Sequence, residues 1–291
     1  MTAKGGIDLF DTKYTYAVAR IRALETGLFT SAVIDQLMAL PTEEQCLQFL
    51  QEKGWGDGDT PLNAEAILNR EEEKTWETIG DLGVDMSVFD VLSYPNLFHN
   101  LKAAIKDACT GDEKGSRNLY YEDTKISPQE MLDIIKSKDF KRLPENMAEA
   151  ARQAYEALLH TRDGQLCDVI IDRAALDAIY QAGQEAKDSI IRDYAESIVA
   201  VADIKIAVRA QKTAKSIEFM KRAMAPCDSL SVDQLARAAA SGMEAVAEYL
   251  AGTAYAQGAQ AIAQSPSAFE RWCDNRMMEA MQPQKYQAFS V

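Results

Sequence analysis

The feature that most constrains this chain is a buried helical segment that recurs along it. Residues 198–222 predict a long helix, because their apolar side chains follow the three- and four-residue steps of a helix face. The first half is apolar on almost every side, which indicates burial rather than exposure to solvent. Asp203 and Arg209 interrupt the apolar sequence, and the heptapeptide that they bound has two weaker counterparts upstream.

The three heptapeptides share a pattern. Each begins with a polar or amphipathic residue, has a mainly apolar body and ends with a cation. They run from Tyr16 to Arg22, from Asn96 to Lys102 and from Asp203 to Arg209. We predict that each lies in a long helix. The second helix is expected to start at Asn96, after a linker of residues 81–95, and the third to continue to Arg222.

Two further signals follow each heptapeptide in the same order. The first is a capping box, in which a hydroxyl accepts the third backbone N–H of a helix and a Glu or Gln reaches back. These boxes begin at Thr42, Ser127 and Ser231. The second signal is a short segment that ends with arginine and precedes another helical pattern. It ends at Arg70 in the first copy, at Arg173 after Asp172 in the second, and at Arg276 in the third. Either signal alone is a loose pattern, but their common order indicates an internal repeat, which determines the architecture.

The repeat predicts three similar helical domains, residues 1–93, 94–194 and 195–291. The chain has only 8 Pro and 15 Gly in 291 residues and is rich in good helix formers. No stretch alternates apolar and polar residues between turn signals, as strands would. The predicted fold class is therefore all-α.

Charge and cysteine usage exclude several classes of partner. The formal net charge of −14 argues against nucleic acid and anionic lipid surfaces, because both would repel the chain. The five cysteines are odd in number and widely separated, which predicts neither a zinc knuckle nor a disulfide framework and favours a reducing, cytoplasmic compartment. No run approaches the about 20 apolar residues of a membrane span.

The sequence contains no catalytic constellation, so we predict no enzyme, no metal and no cofactor. Only two histidines occur, His99 and His160, and neither belongs to a zinc or di-iron motif. Two alternatives stay open at this point. One is a scaffold of helical repeats, although intervals of about 80 and 107 residues exceed the usual 20–45. The other is a helical bundle with a carboxylate metal site.

A local basic stripe is the one candidate for a binding surface. Lys205, Arg209 and Lys212 fall on one face of the predicted helix, and Lys215 follows. One interpretation is dispersed surface charge with a buried partner for Asp203. The other is contact with an acidic partner protein, for which Lys205, Lys212 and Lys215 are the candidate residues.

The opening YTYAVARIRALE, residues 14–25, resembles the amino-terminal signature of the C subunits of V/A-type rotary ATPases, which correspond to the d subunits of vacuolar pumps. Residues 203–209 and 95–102 resemble the recurring family pattern Asp-x-x-Asn-Ile/Leu-x-x-x-Leu-Arg, with Ile206 where Asn is frequent. The likeness extends from about Tyr14 to Met281. Its motif positions are Tyr16, Arg20, Arg22, Glu25, Asn96, Lys102, Asp172, Arg173, Asp203 and Arg209.

This resemblance implies three helical domains arranged as a funnel around a pseudo-threefold axis, with no catalytic role and no cofactor. Members of this family lie on the cytoplasmic face of the membrane proteolipid ring and hold the foot of the rotor shaft, so both are expected partners. The family normally continues with another helix after the position of Val291, so the third domain is expected to be incomplete. Whether H⁺ or Na⁺ is pumped, and in which direction the complex works, depends on other components of the pump.

Overall fold

The computed structural model describes residues 14–110, 120–122 and 124–285. Within these ranges there are helices and connecting segments but no strand, which confirms the all-α class. The first seven helices are α1 Thr15–Glu25, α2 Ser31–Met38, α3 Glu43–Glu52, α4 Ala64–Gly80, α5 Asp90–Thr110, α6 Pro128–Ser137 and α7 Glu145–Thr161. The next seven are α8 Gly164–Glu185, α9 Ser189–Lys212, α10 Ile217–Ala223, α11 Val232–Ser241, α12 Met243–Ala251, α13 Ala256–Gln264 and α14 Pro266–Lys285.

The three capping boxes begin helices as the sequence predicts. Thr42 accepts the backbone N–H of Gln45 at the start of α3. Ser127 and Ser231 make the equivalent bond at the starts of α6 and α11. Each bond satisfies one of the N–H groups that the first turn of a helix leaves without a partner.

Two predicted helix boundaries are wrong. α5 begins at Asp90 rather than at Asn96 and includes Pro95, because buried Val91 anchors this first turn in an apolar core. The predicted helix of residues 198–222 is broken between α9 and α10, where Ala214 adopts φ +50°. Alanine rarely adopts that conformation, so the sequence carries no sign of the break.

The chain divides into two compact units, and the first consists of Met1–Met86 with Gln284–Val291. In it, the glycine-rich turn after α3 is tied to α4. Lys74 Nζ donates to the carbonyl oxygens of Gly54 and Gly56 at 3.2 and 2.9 Å, and Gly56 N–H donates to Glu71 at 2.8 Å. The turn therefore acts as a helix stop fixed by charged side chains.

The second unit, Ser87–Pro283, contains two large apolar cores. One is built by α5–α8 and the other by α9–α14; we call these groups of helices the first bundle and the second bundle. A smaller apolar core joins these two, and its buried residues are Val91, Ile179, Ala195, Val199 and Ala225. At this join α8 and α9 approach closely, because Gly183 of α8 packs against Ala195 of α9. The three domain boundaries given above stay a prediction.

Candidate functional site at the junction of α8, α9 and α10

The segment that connects α10 to α11, residues 224–231, is held by side chains from several helices; we call it the junction loop. Met224 and Ala225 are fully buried, and the loop then runs to the surface. Its polar backbone atoms are bonded by side chains of α8, α9 and α12. Because α8 belongs to the first bundle and the others to the second, the loop lies where the two bundles meet.

Asp203 holds the buried end of this loop from the middle of α9. Its carboxylate is fully buried, and Oδ1 accepts the backbone N–H of Ala225 at 3.0 Å. Oδ2 has no hydrogen-bond partner among the described residues. Burial raises the pKa of Asp203 to about 8, while the bond from Ala225 and the charge of Arg173 act in the opposite direction. The carboxyl group is therefore mainly protonated at neutral pH.

The relative costs favour the same protonation state. An unsatisfied buried hydroxyl costs about 1–3 kcal/mol. An ionised carboxylate with one hydrogen bond and no adjacent cation costs several kcal/mol more, because the protein interior solvates charge poorly. Asp203 is thus a proton-carrying hydrogen-bond acceptor rather than half of a buried ion pair.

Arg173 reaches the loop from α8. Its guanidinium pairs with Asp177 one turn later at 2.9 Å and also donates to the carbonyl oxygens of Lys221 and Met224. These two carbonyls belong to the last turn of α10 and the residue after it, where a helix leaves its acceptors unsatisfied. Arg173 therefore caps α10 from the neighbouring bundle.

Glu196 and Tyr180 bind the outer half of the loop. Glu196 accepts the backbone N–H of Asp228 at 3.1 Å, that of Ser229 at 2.8 Å and the Ser229 hydroxyl. Tyr180 donates its hydroxyl to the Asp228 carboxylate at 2.7 Å, and this bond raises the pKa of Tyr180 to about 12. Two successive backbone N–H groups are thus fixed by a single carboxylate of α9.

A matching arrangement in the first bundle shows that the junction is one copy of a duplicated motif. Asn100 of α5 is fully buried and accepts the backbone N–H of Tyr121 at 2.9 Å. Its amide also donates to the Tyr121 carbonyl oxygen at 2.8 Å and to Thr124 at 3.0 Å. In both bundles a buried polar residue on the long helix binds the backbone six residues before the capping serine. The counterpart of Asp203 is therefore Asn100.

Under the same correspondence, the ion pairs between helices of the first bundle match those of the second bundle. Each charged residue of the first bundle precedes its counterpart by nearly the same interval as Asn100 precedes Asp203. In the first bundle the pairs are Lys102–Asp172 at 2.7 Å and Lys106–Asp168 at 2.6 Å. In the second they are Lys205–Asp274 at 3.9 Å and Arg209–Glu270 at 3.6 Å, with Lys205 also 3.1 Å from Glu270.

These pairs fasten the long helix of each bundle to its last long helix, α5 to α8 and α9 to α14. Each is partly exposed, so its contribution to stability is small, about 0–1 kcal/mol. Their value is geometric, because they fix the register between two helices that are distant in sequence. Lys205 also holds the pKa of Glu270 below its usual range through its hydrogen bond.

The predicted basic stripe is partly used inside the molecule. Lys205 is paired as described, and Lys215 bonds Gln165 at 2.7 Å and lies 5.1 Å from the ring centre of Phe219. Lys212, at the end of α9, is exposed. Of the three candidates for contact with an acidic partner, it is the one whose position most suits an external contact.

The predicted motif residues of α1 interact with one another. Arg20 donates to the Tyr16 hydroxyl at 3.1 Å, and Arg22 pairs with Glu25 at 2.8 Å. All four lie in the first compact unit, and Tyr16 is 60% exposed. An exposed aromatic side chain among surface charges contributes little to a core, so this helix face is available for contacts.

Sequence reasoning chose Asn96 and missed Asn100. Asn96 is only half-buried, one turn before the position that corresponds to Asp203. The signal that could have found Asn100 is its distance from the capping serine, which nearly equals that between Asp203 and Ser231. Aligning the copies by their caps rather than by their terminal cations gives the register observed in the structure.

An open groove of about 720 Å³ lies over α8 between α7 and α10. Its charged residues are largely paired, Arg173 with Asp177 and Glu149 with Arg152. Within the described ranges no group of three His, Cys, Asp or Glu residues is arranged to hold a metal ion. Over those same ranges, no helix combines the length and the apolar character that crossing a bilayer requires.

Comparison with known proteins decides the family. The family model "ATP synthase (C/AC39) subunit" matches residues 17–291. The chain belongs to the ATP synthase C/AC39 subunit family. It is also similar to the C subunit of the V-type sodium ATPase of Enterococcus hirae, with 22% identity over 193 residues. No solved structure matches significantly.

The alignment with the Enterococcus protein covers 66% of this chain and 58% of the relative, so the chain matches somewhat more than half of that protein. The resemblance first recognised in residues 14–25, 95–102 and 203–209 is thereby confirmed at the level of the family. Membership in the C/AC39 family identifies the chain as a relative of V/A-type ATPase subunits.

Proposed function

We propose that this chain is a non-catalytic central-stalk subunit of a V/A-type ion-translocating ATPase or ATP synthase, where it connects the rotor shaft to the membrane proteolipid ring. The observation that carries the proposal is the family match over residues 17–291. On this proposal the chain binds the cytoplasmic side of the membrane through other subunits of the pump and uses no cofactor.

The architecture suits a part that transmits torque. Close-packed helices resist compression, so a displacement at one end is passed on rather than absorbed. Asp203 and Glu196 fix the junction loop to α9, and Arg173 joins the same loop to α8 of the first bundle, in each case by bonds to backbone atoms. The connection between the bundles is therefore left few ways to bend. The ion-pair sets oppose sliding of α5 against α8 and of α9 against α14.

The funnel of three similar domains is part of the same proposal. Its support is the agreement between the two bundles, in which Asn100 and Asp203, with their loops and ion pairs, occupy corresponding places. A third copy of this motif, in residues 1–93, would complete the funnel.

Reconstitution tests the proposal. Vesicles that contain the proteolipid ring and its membrane partners are combined with the catalytic head and rotor shaft, with and without this chain. We expect ATP-driven ion uptake to require the chain, while ATP hydrolysis by the detached head does not. The isolated chain is expected to hydrolyse no ATP and to sediment only with vesicles that carry the ring. Full ion uptake without the chain would refute a coupling role.

A charge reversal tests the acidic-partner contact separately. Lys212→Glu should weaken binding of the chain to the rotor shaft, and more so at low salt, because exposed charges are screened at high ionic strength. Lys141→Glu, an exposed lysine in the first bundle, is the matched control. Equal affinities of the two variants at low salt would exclude Lys212 from the contact and leave the coupling role to the reconstitution.

A further inference from the structure

In each bundle a buried side chain of the long helix binds the backbone before a capped helix, but the two side chains differ in one respect. Asn100 binds the backbone before α6 as both donor and acceptor, and all its bonds are independent of pH. Asp203 binds the backbone before α11 as an acceptor through Oδ1, and its Oδ2 is buried without a partner among the described residues. A titratable group therefore stands at one junction where the other copy has an amide.

The charged and titratable groups around Asp203 do not supply a counter-ion. Asp177 of α8 and Glu196 of α9 oppose its ionisation, and Arg173 favours it but is already bonded to Asp177 and to two carbonyl oxygens. Cys227 of the loop has a pKa raised to about 12 by burial, so it stays a thiol near neutrality.

Asp203 lies on α9 among residues that belong to the apolar core of the second bundle, such as Ile204 and Ala207. α11 packs against α9 with Leu235, Ala236 and Ala239, and α10 contributes Met220. An ionised carboxylate at this place would therefore be solvated only if the structure opened to water or Arg173 left its carbonyl partners.

We propose that the junction loop is a proton-operated latch, closed on α8 and α9 while Asp203 carries a proton and released when that proton is lost. Acidification of the surrounding solution tightens the connection between the two bundles, and alkalinisation loosens it. The contacts that form the latch all lie inside the second compact unit, so this proposal does not depend on which assembly the chain joins.

The direction follows from linkage. In the closed loop the pKa of Asp203 is about 8, whereas in an opened, hydrated loop it returns towards the ordinary value of 3.8. Closing is therefore fully favoured at pH values below the open-state pKa and weakens as the pH rises towards the closed-state pKa. The opening equilibrium changes about tenfold per pH unit in that interval and becomes constant above it.

Hydrogen–deuterium exchange on the full chain measures this directly. Exchange of the amides of Ala225, Cys227, Asp228 and Ser229 is followed from pH 6 to pH 9 in the wild type and in Asp203→Asn; Pro226 between them has no amide hydrogen. The two proteins share the intrinsic pH dependence of amide exchange, so the ratio of their rates isolates the latch. We expect this ratio to rise about tenfold per pH unit up to about pH 8 and then to level off.

The first bundle supplies an internal control and a transplant. In the wild type, the amide of Tyr121, which Asn100 holds, should show no such pH-dependent loss of protection. Asn100→Asp should create one there, since it places a carboxyl group against the Tyr121 carbonyl oxygen. The same slope in Asp203→Asn as in the wild type, or no excess slope in the wild type, would overturn the latch.

A measurement on the wild type keeps the test decisive if a variant does not fold. Infrared difference spectra distinguish a protonated carboxylic acid from a carboxylate. We expect the band of a buried carboxylic acid to disappear with a midpoint near pH 8, together with the loss of protection in residues 225–229. A buried acid that is already ionised at pH 6 would overturn the proposal.

Discussion

Replacing Gly183 with alanine tests how closely α8 and α9 must approach each other. A Cβ atom at position 183 would lie 2.4 Å from the Cβ atom of Ala195, and 3.6 Å from Arg192 Cα. Non-bonded carbon atoms prefer a separation of about 3.5–4.0 Å. Since both Cβ atoms are fixed to their backbones, neither can rotate away, and the two helices would have to separate by roughly 1 Å.

The expected cost follows from two opposing effects. Overpacking in a tight interior typically costs about 1–3 kcal/mol, and the rigidity of both partners places Gly183→Ala in the upper half of that range. Alanine also stabilises a helix by up to about 1 kcal/mol relative to glycine, and by less here because position 183 is near the end of α8. We therefore expect the free energy of unfolding to fall by about 1.5–2.5 kcal/mol.

Urea unfolding followed by circular dichroism provides the measurement, with two matched variants. Gly164→Ala, at the start of the same helix, meets nothing within 4 Å and should leave stability unchanged or slightly higher. Adding Ala195→Gly to Gly183→Ala removes the clash and should recover part of the loss. If Gly183→Ala were as stable as Gly164→Ala, the close approach of α8 and α9 would be refuted.

Three further predictions concern the second bundle. Gly258→Ala should lower the free energy of unfolding by about 1–3 kcal/mol, because its Cβ would lie 2.6 Å from Trp272 Cη2; tryptophan fluorescence should shift in parallel, and an unchanged spectrum and stability would contradict the packing. Folding raises the pKa of Asp203 from 3.8 to about 8, so the contribution of this residue to stability should fall by about 1.4 kcal/mol per pH unit as the pH rises through that interval. Urea titrations of the wild type and Asp203→Asn at pH 5, 7 and 9 should show this difference in slope. Parallel pH profiles of the two proteins would contradict the prediction. Lys205→Glu and Glu270→Lys should each lower the free energy of unfolding, and the double variant should restore part of the loss, with a coupling energy of about 0.2–1 kcal/mol. Strictly additive effects in this double-mutant cycle would show that the two side chains do not interact.

The features that sequence reasoning predicted well are local ones. The capping hydroxyls of Thr42, Ser127 and Ser231 bond within their own first turn, so four residues contain all the necessary information. The all-α class likewise follows from composition and helical periodicity. The family could be recognised because its motif positions lie in such helices.

The features that were missed depend on contacts between distant residues. No local signal shows that Lys205 faces Glu270, so the sequence left dispersed surface charge and contact with an acidic partner as the alternatives for this residue. The break at Ala214 is imposed by the fold on a residue that normally continues a helix. Asn100 was passed over because apolar heptapeptides match one another in several registers; its distance from the capping serine and its bond to Tyr121 distinguish the correct one.

The interlocking at the junction has a practical consequence for exchanging parts between homologues. The linker between α8 and α9 looks like a natural crossover point. However, Arg173 and Tyr180 lie before this linker and form hydrogen bonds with residues of the junction loop, which follows it. A chimera joined at that linker would unite an α8 from one parent with a junction loop from the other. Recombination between relatives should therefore keep residues 173–231 from a single parent and place the crossover earlier in α8.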